Sequence, residues 1–345
     1  MSLRRAHLAI LVLFAGAMAP AGAKEPDPLF RDNTVLDVTI TAPMKPLVRE
    51  RSKDEYLKGT FGYTNADGTP VVLDVGIRAR GNFRHKICDL PPLRLNFKKS
   101  QVKGTLFNKQ NKLKLVVPCE DSDRYEQLLL REYLAYRILN MLTDLSFRVR
   151  LLRITYVDTN GRSNDDIRYA FVIEDQERFA KRHGLQEMDL KWTSVEALEP
   201  GALNLTSVYQ FLIGNTDFSP IAGAPERGCC HNYVLYSAES GRFVPVPYDF
   251  DHSGLVDAPY AKPNEAFKIR NVRERLYRGR CANNAFIPAS LERHRQVRES
   301  IYELVDELPG ADGRTEREAT RYIDAFFELI EKPSGVERYI TKKCI

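Results

Sequence analysis

Four side chains in the second half of the chain carry the most specific chemistry. Asp217 lies in Gly214-Asn215-Thr216-Asp217, Asn232 in Cys230-His231-Asn232-Tyr233, and Asp249 and Asp251 in Pro247-Tyr248-Asp249-Phe250-Asp251. A loop Asp, then an Asn, then an Asp after a short hairpin is the order used for Mg2+-dependent phosphoryl transfer. The first Asp orients the proton of the attacking hydroxyl, and the Asn with the second Asp holds a metal that neutralises charge on the phosphate. Hard oxygen donors are the right type for Mg2+. A lone loop Asp usually caps a turn, so the ordered set, rather than any one member, argues for chemistry.

Those residues need elements to hold them. Residues 206–214 read as a helix that stops at Gly214 and delivers Asp217 in a loop. Residues 233–236 and 243–246 read as a short hairpin through Glu239-Ser240-Gly241, with Asn232 at its entry and Asp249 past its exit. Upstream, residues 35–40 alternate as a strand, and 57–63 with 71–80 flank the turn Asn65-Ala66-Asp67-Gly68 as a hairpin. Residues 93–97 and 112–117 are two more short strands. Residues 125–142 carry Leu130, Leu134, Ile138, Met141 and Leu142 at helical spacing after the caps Asp121, Ser122 and Asp123. Strands at 149–157 and 168–173 follow, then a short helix at 176–183 and long amphipathic helices at 288–308 and 315–330. A β-rich half with one helix, 24–175, followed by a helix-rich half, 176–345, predicts an α+β fold in two lobes. Clefts between such lobes hold ligands.

The chain has 345 residues, 43% hydrophobic and 28% charged, which excludes wholesale disorder, collagen and coiled coil. The net charge of +5 is too small to argue for nucleic acid. Residues 1–23 read as a secretory signal peptide: Arg4 and Arg5, an apolar run over 8–18, then Ala21-Gly22-Ala23 as the cleavage site. Cleavage after Ala23 removes two arginines and no acid, taking the charge from +5 to +3. No later stretch reaches transmembrane length, so the expectation is an exported protein, periplasmic or extracellular, with no membrane span in the mature chain. All six cysteines follow the cleavage site, and an even count in an oxidising compartment favours disulfides. Cys88 and Cys119, at the ends of adjacent predicted strands, are expected to pair. Cys229 and Cys230 are expected to reach Cys281 and Cys344 rather than each other. A zinc site is the lesser alternative, since no CxxC pair is present.

Seven segments together resemble one known family. They are Arg78-Ala79-Arg80-Gly81-Asn82; Lys112-Leu113-Lys114-Leu115; Leu130-Arg131-Glu132-Tyr133-Leu134-Ala135-Tyr136; Tyr169-Ala170-Phe171-Val172-Ile173-Glu174-Asp175; Gly214-Asn215-Thr216-Asp217; His231-Asn232-Tyr233; and Pro247-Tyr248-Asp249-Phe250-Asp251. Over roughly residues 75–255 the chain resembles the spore coat protein H (CotH-like) kinases, a divergent branch of the protein-kinase-like fold. The resemblance implies a two-lobed atypical protein-kinase-like fold, with a β-rich N-lobe carrying one long helix and a helix-rich C-lobe. It implies Asp217 as the catalytic-loop Asp, and Asn232 and Asp249 as Mg2+ (or Mn2+) ligands with Asp251 as an acidic neighbour. Lys114 is similar to the lysine that contacts the phosphates of ATP, with Lys112 a competitor on the same strand face. Glu132 is placed to pair with that lysine, although Arg131 is the better match to the family pattern. Arg80 stands where a Gly-rich loop would be. Glu174, where the lobes join, brings backbone to the adenine, and Phe243 packs against the base. The chain departs from the common kinase pattern: there is no G-x-G-x-x-G, no H-R-D, and Asp249-Phe250-Asp251 is not D-F-G.

The expectation is therefore phosphoryl transfer from ATP to Ser or Thr of an exported or cell-envelope protein. ATP is scarce outside the cytoplasm, which leaves the donor open. Two other classes stay in view. Asp249-x-Asp251 also resembles the D-x-D pair with which glycosyltransferases hold a metal and a sugar diphosphate. A non-catalytic envelope adaptor is the other, with Arg270, Arg273, Arg275, Arg278 and Arg280 as a basic cluster beside Tyr277 for an acidic partner.

Overall fold

A computed structural model describes residues 24–161, 166–224, 226 and 228–345. The leader predicted at 1–23 lies outside the described residues. Strands β1 (Leu36–Ala42), β2 (Leu57–Thr64) and β3 (Pro70–Ala79) form an antiparallel meander, with helix α1 (Met44–Glu50) between the first two. Helix α2 (Phe83–Ile87) leads to β4 (Leu93–Phe97), and α3 (Lys99–Val102) leads to β5 (Lys112–Val116). The long helix α4 (Asp123–Leu142) precedes the hairpin of β6 (Val149–Asp158) and β7 (Asp166–Ile173).

The strands close on themselves in the order β1-β2-β3-β4-β5-β7-β6. The closing contact is the only parallel pairing among them: β1 runs beside β6 from Leu36 opposite Leu152 to Ala42 opposite Asp158. The expected two-lobed kinase-like fold is thus overturned. The first half is a closed seven-stranded mixed barrel, not an open lobe. Closure removes the exposed strand edges that an open sheet would have to protect. It joins strands far apart in the chain, and strand periodicity carries no record of such a partner.

Alternation along β6 and β7 serves two cores at once. Leu152, Ile154, Ala170 and Val172 point into the barrel, where Phe61 meets the rings of Phe97 and Phe107 at 5.4 and 4.9 Å. Val149, Leu151, Phe171 and Ile173 point outward and pack on α4. Ser122 caps that helix by accepting from Tyr125 N, and Asp123 and Glu126 sit in its first turn, where the helix dipole favours acids. Helix α4 is buried between the barrel and the C-terminal helices, so its core spans both halves and the boundary at 175/176 separates elements but not cores.

Beyond the barrel come α5 (Gln176–His183), β8 (Gln186–Glu187), α6 (Pro200–Ile213), β9 (Tyr233–Ser237) and β10 (Phe243–Pro247). The three strands form a small sheet in the order β10-β9-β8. Helices α7 (Ile287–Gln296), α8 (Arg298–Asp306), α9 (Gly313–Ile330) and α10 (Pro333–Tyr339) complete the chain. The single helix expected over 288–308 is two helices meeting at Val297.

Cys88 pairs with Cys119 as expected. The other two disulfides are Cys281–Cys344 and Cys229–Cys230, so the expected crossing between these pairs is corrected. The chain end folds back on residues 279–281, with Ile345 N donating to Gly279 O at 2.9 Å and Cys281 N to Ile345 O at 3.2 Å. That return places Cys344 beside Cys281 and leaves Cys229 and Cys230 to each other. No cysteine is free, which removes the zinc alternative. Among the described residues, no helix is long and apolar enough to cross a membrane.

Candidate functional site

A cleft of 1060 Å³ opens between the barrel rim and the small sheet, a volume at the upper end of ligand pockets. From the barrel side come Arg80, Arg84 and Lys114; from the other side come Asp217, Asn232, Asp249 and Asp251. Six of the nine residues singled out in the sequence for a role thus line one space.

Local chain chemistry explains how each arrives. Helix α6 stops at Gly214, which takes φ +63°, and a Cβ there would run into the Tyr322 hydroxyl. Asn215 Oδ1 then accepts from Asp217 N at 2.9 Å, turning the chain so that Asp217 faces the cleft. Ser219 and His231 exchange backbone hydrogen bonds of 2.9 and 3.0 Å, which closes the base of the intervening loop and brings Asn232 back to Asp217. Asn232 Nδ2 donates to Asp217 O at 2.7 Å and to its Oδ2 at 3.1 Å. Past β10, Phe250 enters the core between Tyr136 and Tyr209, with ring centroids 4.6 and 5.4 Å away. Asp249 and Asp251 line the cleft on either side of it. Tyr136 Oη accepts from Asp249 N at 2.8 Å, so helix α4 fixes this loop directly. Gly254 N to Gly214 O and Leu255 N to Ile213 O, 3.1 and 3.0 Å, hold the two acidic loops together.

Asn232 and Asp249 have φ of +55° and +65°. Among residues with a Cβ, Asn and Asp tolerate this region best, and surroundings that enforce it are common at functional sites.

The electrostatics set the cations and acids against one another. Burial, with Asp251 next to it, pushes the Asp249 carboxyl up to about 6 even though Arg80 and Arg84 oppose the shift. Burial pushes Lys114 down to about 8, with Arg80 and Arg94 adding to it. The Lys114 ammonium lies over the Tyr248 ring, 5.1 Å from its centroid, whereas Lys112 is exposed and does not line the cleft. Asp217 is held below the usual carboxylate range: burial would raise it, but the His231 hydrogen bond, the His231 and His252 charges and Asn232 outweigh burial. His231 Nε2 is 2.7 Å from Asp217 Oδ1.

Three expected site residues stand elsewhere. Glu132 does not meet Lys114; it lies 3.3 Å from Arg84 Nη1, behind the cleft. Burial, with Asp251 and Asp249 adding, pushes its carboxyl up to about 8 despite Arg84. Arg131, its neighbour, is held by Glu318 at 2.6 Å. Glu174 forms a buried pair with Arg182 at 3.0 and 2.8 Å and accepts from Arg148 N, so it props the chain and does not line this cleft. Phe243 packs with Leu198 and Leu235 beneath the small sheet, and Val234, Leu235, Met188 and Tyr248 line the cleft in its place. The basic cluster is not an open face either. Arg278 is sandwiched between Phe218 and Phe267 at 4.7 and 4.4 Å and donates to Thr216 O, and Arg275 lies on the Tyr322 ring at 3.8 Å. Arg270 is exposed and pairs with Glu274 at 2.6 Å.

Sequence reasoning missed Arg84, His252 and the roles of His231 and Tyr136. Arg84 stands four residues after Arg80 and His252 directly follows Asp251, so proximity to known candidates was the available signal.

Among the described residues, no three His, Cys, Asp or Glu side chains form a ready metal cage. The oxygen donors that do converge are Asp249, Asp251 and the Asn232 amide oxygen, left as acceptor because Nδ2 is committed to Asp217. Burial and the neighbouring Asp251 charge raise the cost of ionising Asp249, and a divalent cation there would relieve that cost. The chain matches no protein-family model and no curated protein.

Proposed function

We propose that this chain is a divalent-cation-dependent phosphotransferase of the spore coat protein H-like kind, working from a barrel scaffold. It transfers the terminal phosphoryl group of ATP to a Ser or Thr hydroxyl of an exported or envelope protein. The observation that carries this reading is the meeting of a low-pKa Asp217 with Arg80, Lys114, Asn232, Asp249 and Asp251 in one cleft. Export is supported by the leader pattern and by three disulfides.

Asp217 orients the acceptor hydroxyl and takes its proton, while His231 and Asn232 fix which carboxylate oxygen is presented. Arg80 and Lys114 bind phosphate oxygens, and the buried setting strengthens each contact. Asn232, Asp249 and Asp251 would hold Mg2+ or Mn2+, which neutralises phosphate charge when bound. Val234, Leu235 and Met188 offer an apolar wall for the base. The sugar-diphosphate alternative draws on Asp249-x-Asp251 alone and makes no use of Asp217, and the adaptor alternative loses its basic face.

The test uses the mature chain with disulfides intact, labelled ATP and Mg2+ or Mn2+, and label transfer to itself and a generic acceptor protein. Asp217→Ala is expected to keep nucleotide binding and lose transfer by roughly 10²–10⁴-fold. Asp249→Ala is expected to lose the metal-dependent thermal shift by nucleotide. No label and no shift with Mg-ATP, beside a shift with a sugar diphosphate, would sink the reading.

A further inference from the structure

A second guanidinium in the cleft has no part in the mechanism above. Arg84 lies on α2, four residues beyond Arg80, and lines the same space. Its side chain is 11% exposed, with Nη1 3.3 Å from Glu132 Oε2. Nη2 donates to the Val117 carbonyl. Nε is buried and has no hydrogen-bond partner among the described residues. Arg80 differs, since its Nε donates to Leu93 O at 3.1 Å.

Two guanidiniums held side by side away from water repel each other and lose hydration, a cost that only nearby anions offset. The acidic groups at hand are Glu132, Asp249 and Asp251, which all act on Arg84, but burial pushes the Glu132 carboxyl up to about 8, so it offsets little charge at neutral pH. Asp249 and Asp251 are also the proposed cation ligands. Once a cation occupies them, the arginine pair is left with Glu132 and one unfilled donor. The balance is restored by a further anion on the cleft side. A phosphoryl group has three peripheral oxygens and the charge to match a guanidinium fork.

Resting on the phosphotransferase reading, we propose that Arg84 is a catalytic residue that contacts the terminal phosphoryl group and makes the site prefer nucleoside triphosphate over diphosphate. In the transfer, the acceptor oxygen bonds to the γ-phosphorus as the bond from that phosphorus to the β–γ bridging oxygen breaks. The hydroxyl proton passes to Asp217, and the diphosphate leaves with the bonding pair. Arg84 donates to the peripheral oxygens throughout, while Glu132 lies on its far side, 3.3 Å from Nη1. The competing account is an ion pair that only holds α2 against α4.

The experiment compares wild type, Arg84→Gln, Arg84→Lys and Glu132→Gln as full chains with disulfides intact. Affinities for Mg-ADP and for a non-hydrolysable Mg-ATP analogue are read by thermal shift, alongside label transfer from ATP. Arg84→Gln is expected to lower transfer roughly 100-fold, the scale of one lost donor to developing charge. It is expected to leave Mg-ADP affinity in place and to shrink the triphosphate preference about tenfold, one donor's worth. Arg84→Lys keeps a cation beside Glu132, so it reports even if the Gln variant does not fold, and it too is expected to lose preference for want of a fork. Glu132→Gln is expected to keep the preference. Equal loss of Mg-ADP and Mg-ATP affinity in the Arg84 variants, or a Glu132→Gln that copies them, overturns the proposal. Wild type that binds neither nucleotide overturns the phosphotransferase reading beneath it, and does so before any variant is compared.

Discussion

Two buried Glu–Arg pairs in this molecule have opposite characters. Glu174 meets Arg182 through two hydrogen bonds of 3.0 and 2.8 Å, and the carboxylate also accepts from Arg148 N while the guanidinium reaches Ser146 O. Glu132 meets Arg84 through one contact of 3.3 Å, with an unpartnered Nε on one side and a carboxyl pushed up to about 8 on the other. The first pair is saturated and sits in the wall. The second is short of partners and stands at the edge of the cleft. A buried charge with all its bonds made is a strut, whereas one that lines a cleft with a donor unfilled can turn to a ligand.

Breaking the strut is expected to give the largest effect. Glu174→Ala leaves Arg182 buried without its anion and should cost about 3–5 kcal/mol, read as a fall in urea midpoint with the nucleotide shift of the surviving folded fraction unchanged. A loss below about 1 kcal/mol would mean the two pairs are alike.

Gly214→Ala comes next. It forces a left-handed φ on a residue with a Cβ and drives that Cβ into Tyr322, so a loss of about 2–4 kcal/mol is expected. The Asp217 loop hangs from this position, so transfer activity should fall with stability. Retained activity at full occupancy of the fold would detach the loop from its anchor.

Glu132→Gln sharpens the comparison through pH. The folded pKa of Glu132 lies above its ordinary value of 4.5, so between pH 4.5 and about 8 the folded state binds more protons than the unfolded state. Stability from this group is therefore lost as pH rises through that window. The metal-free Gln variant should gain on wild type from pH 5 to pH 8, by a few degrees in Tm at the upper end. A constant difference would mean that the Glu132 carboxyl is not raised on folding.

The smallest effect separates two lysines on one strand face. Lys112→Ala should change stability by less than about 0.5 kcal/mol and leave the Mg-ATP shift intact, while Lys114→Ala removes most of that shift. Equal behaviour would take Lys114 out of the site.

Much of the site was legible because its signals are local. Gly214 before Asn215 and Asp217, the hairpin between Asn232 and Asp249, and the apolar Phe250 between two acids each fix a side chain through its immediate neighbours. Strands β4 and β5 and helix α5 were legible for the same reason. The barrel was not, because β1 meets β6 through backbone bonds that leave both sequence patterns unchanged. Glu174 and Phe243 were misplaced by the same blindness. Both have the right types for a nucleotide site, and only tertiary packing shows that Arg182 and Leu198 had already taken them. The vicinal pairing of Cys229 and Cys230 followed from where the chain end returns, which no spacing rule contains.

The Cys88–Cys119 disulfide bears on the cleft. The stretch from Gly81 to Leu90 belongs to no strand. It is secured by that bond, by Asp89 N donating to Cys119 O at 2.8 Å, and by Arg51 donating to the carbonyls of His85 and Asp89. Closing a loop of this length contributes about 3–4 kcal/mol by restricting the unfolded chain. With the bond reduced, the segment that presents Arg84 is expected to rest on its hydrogen bonds alone. Reduction of this bond is therefore expected to loosen the Arg84 segment before it disturbs the barrel, whose strands contain neither cysteine.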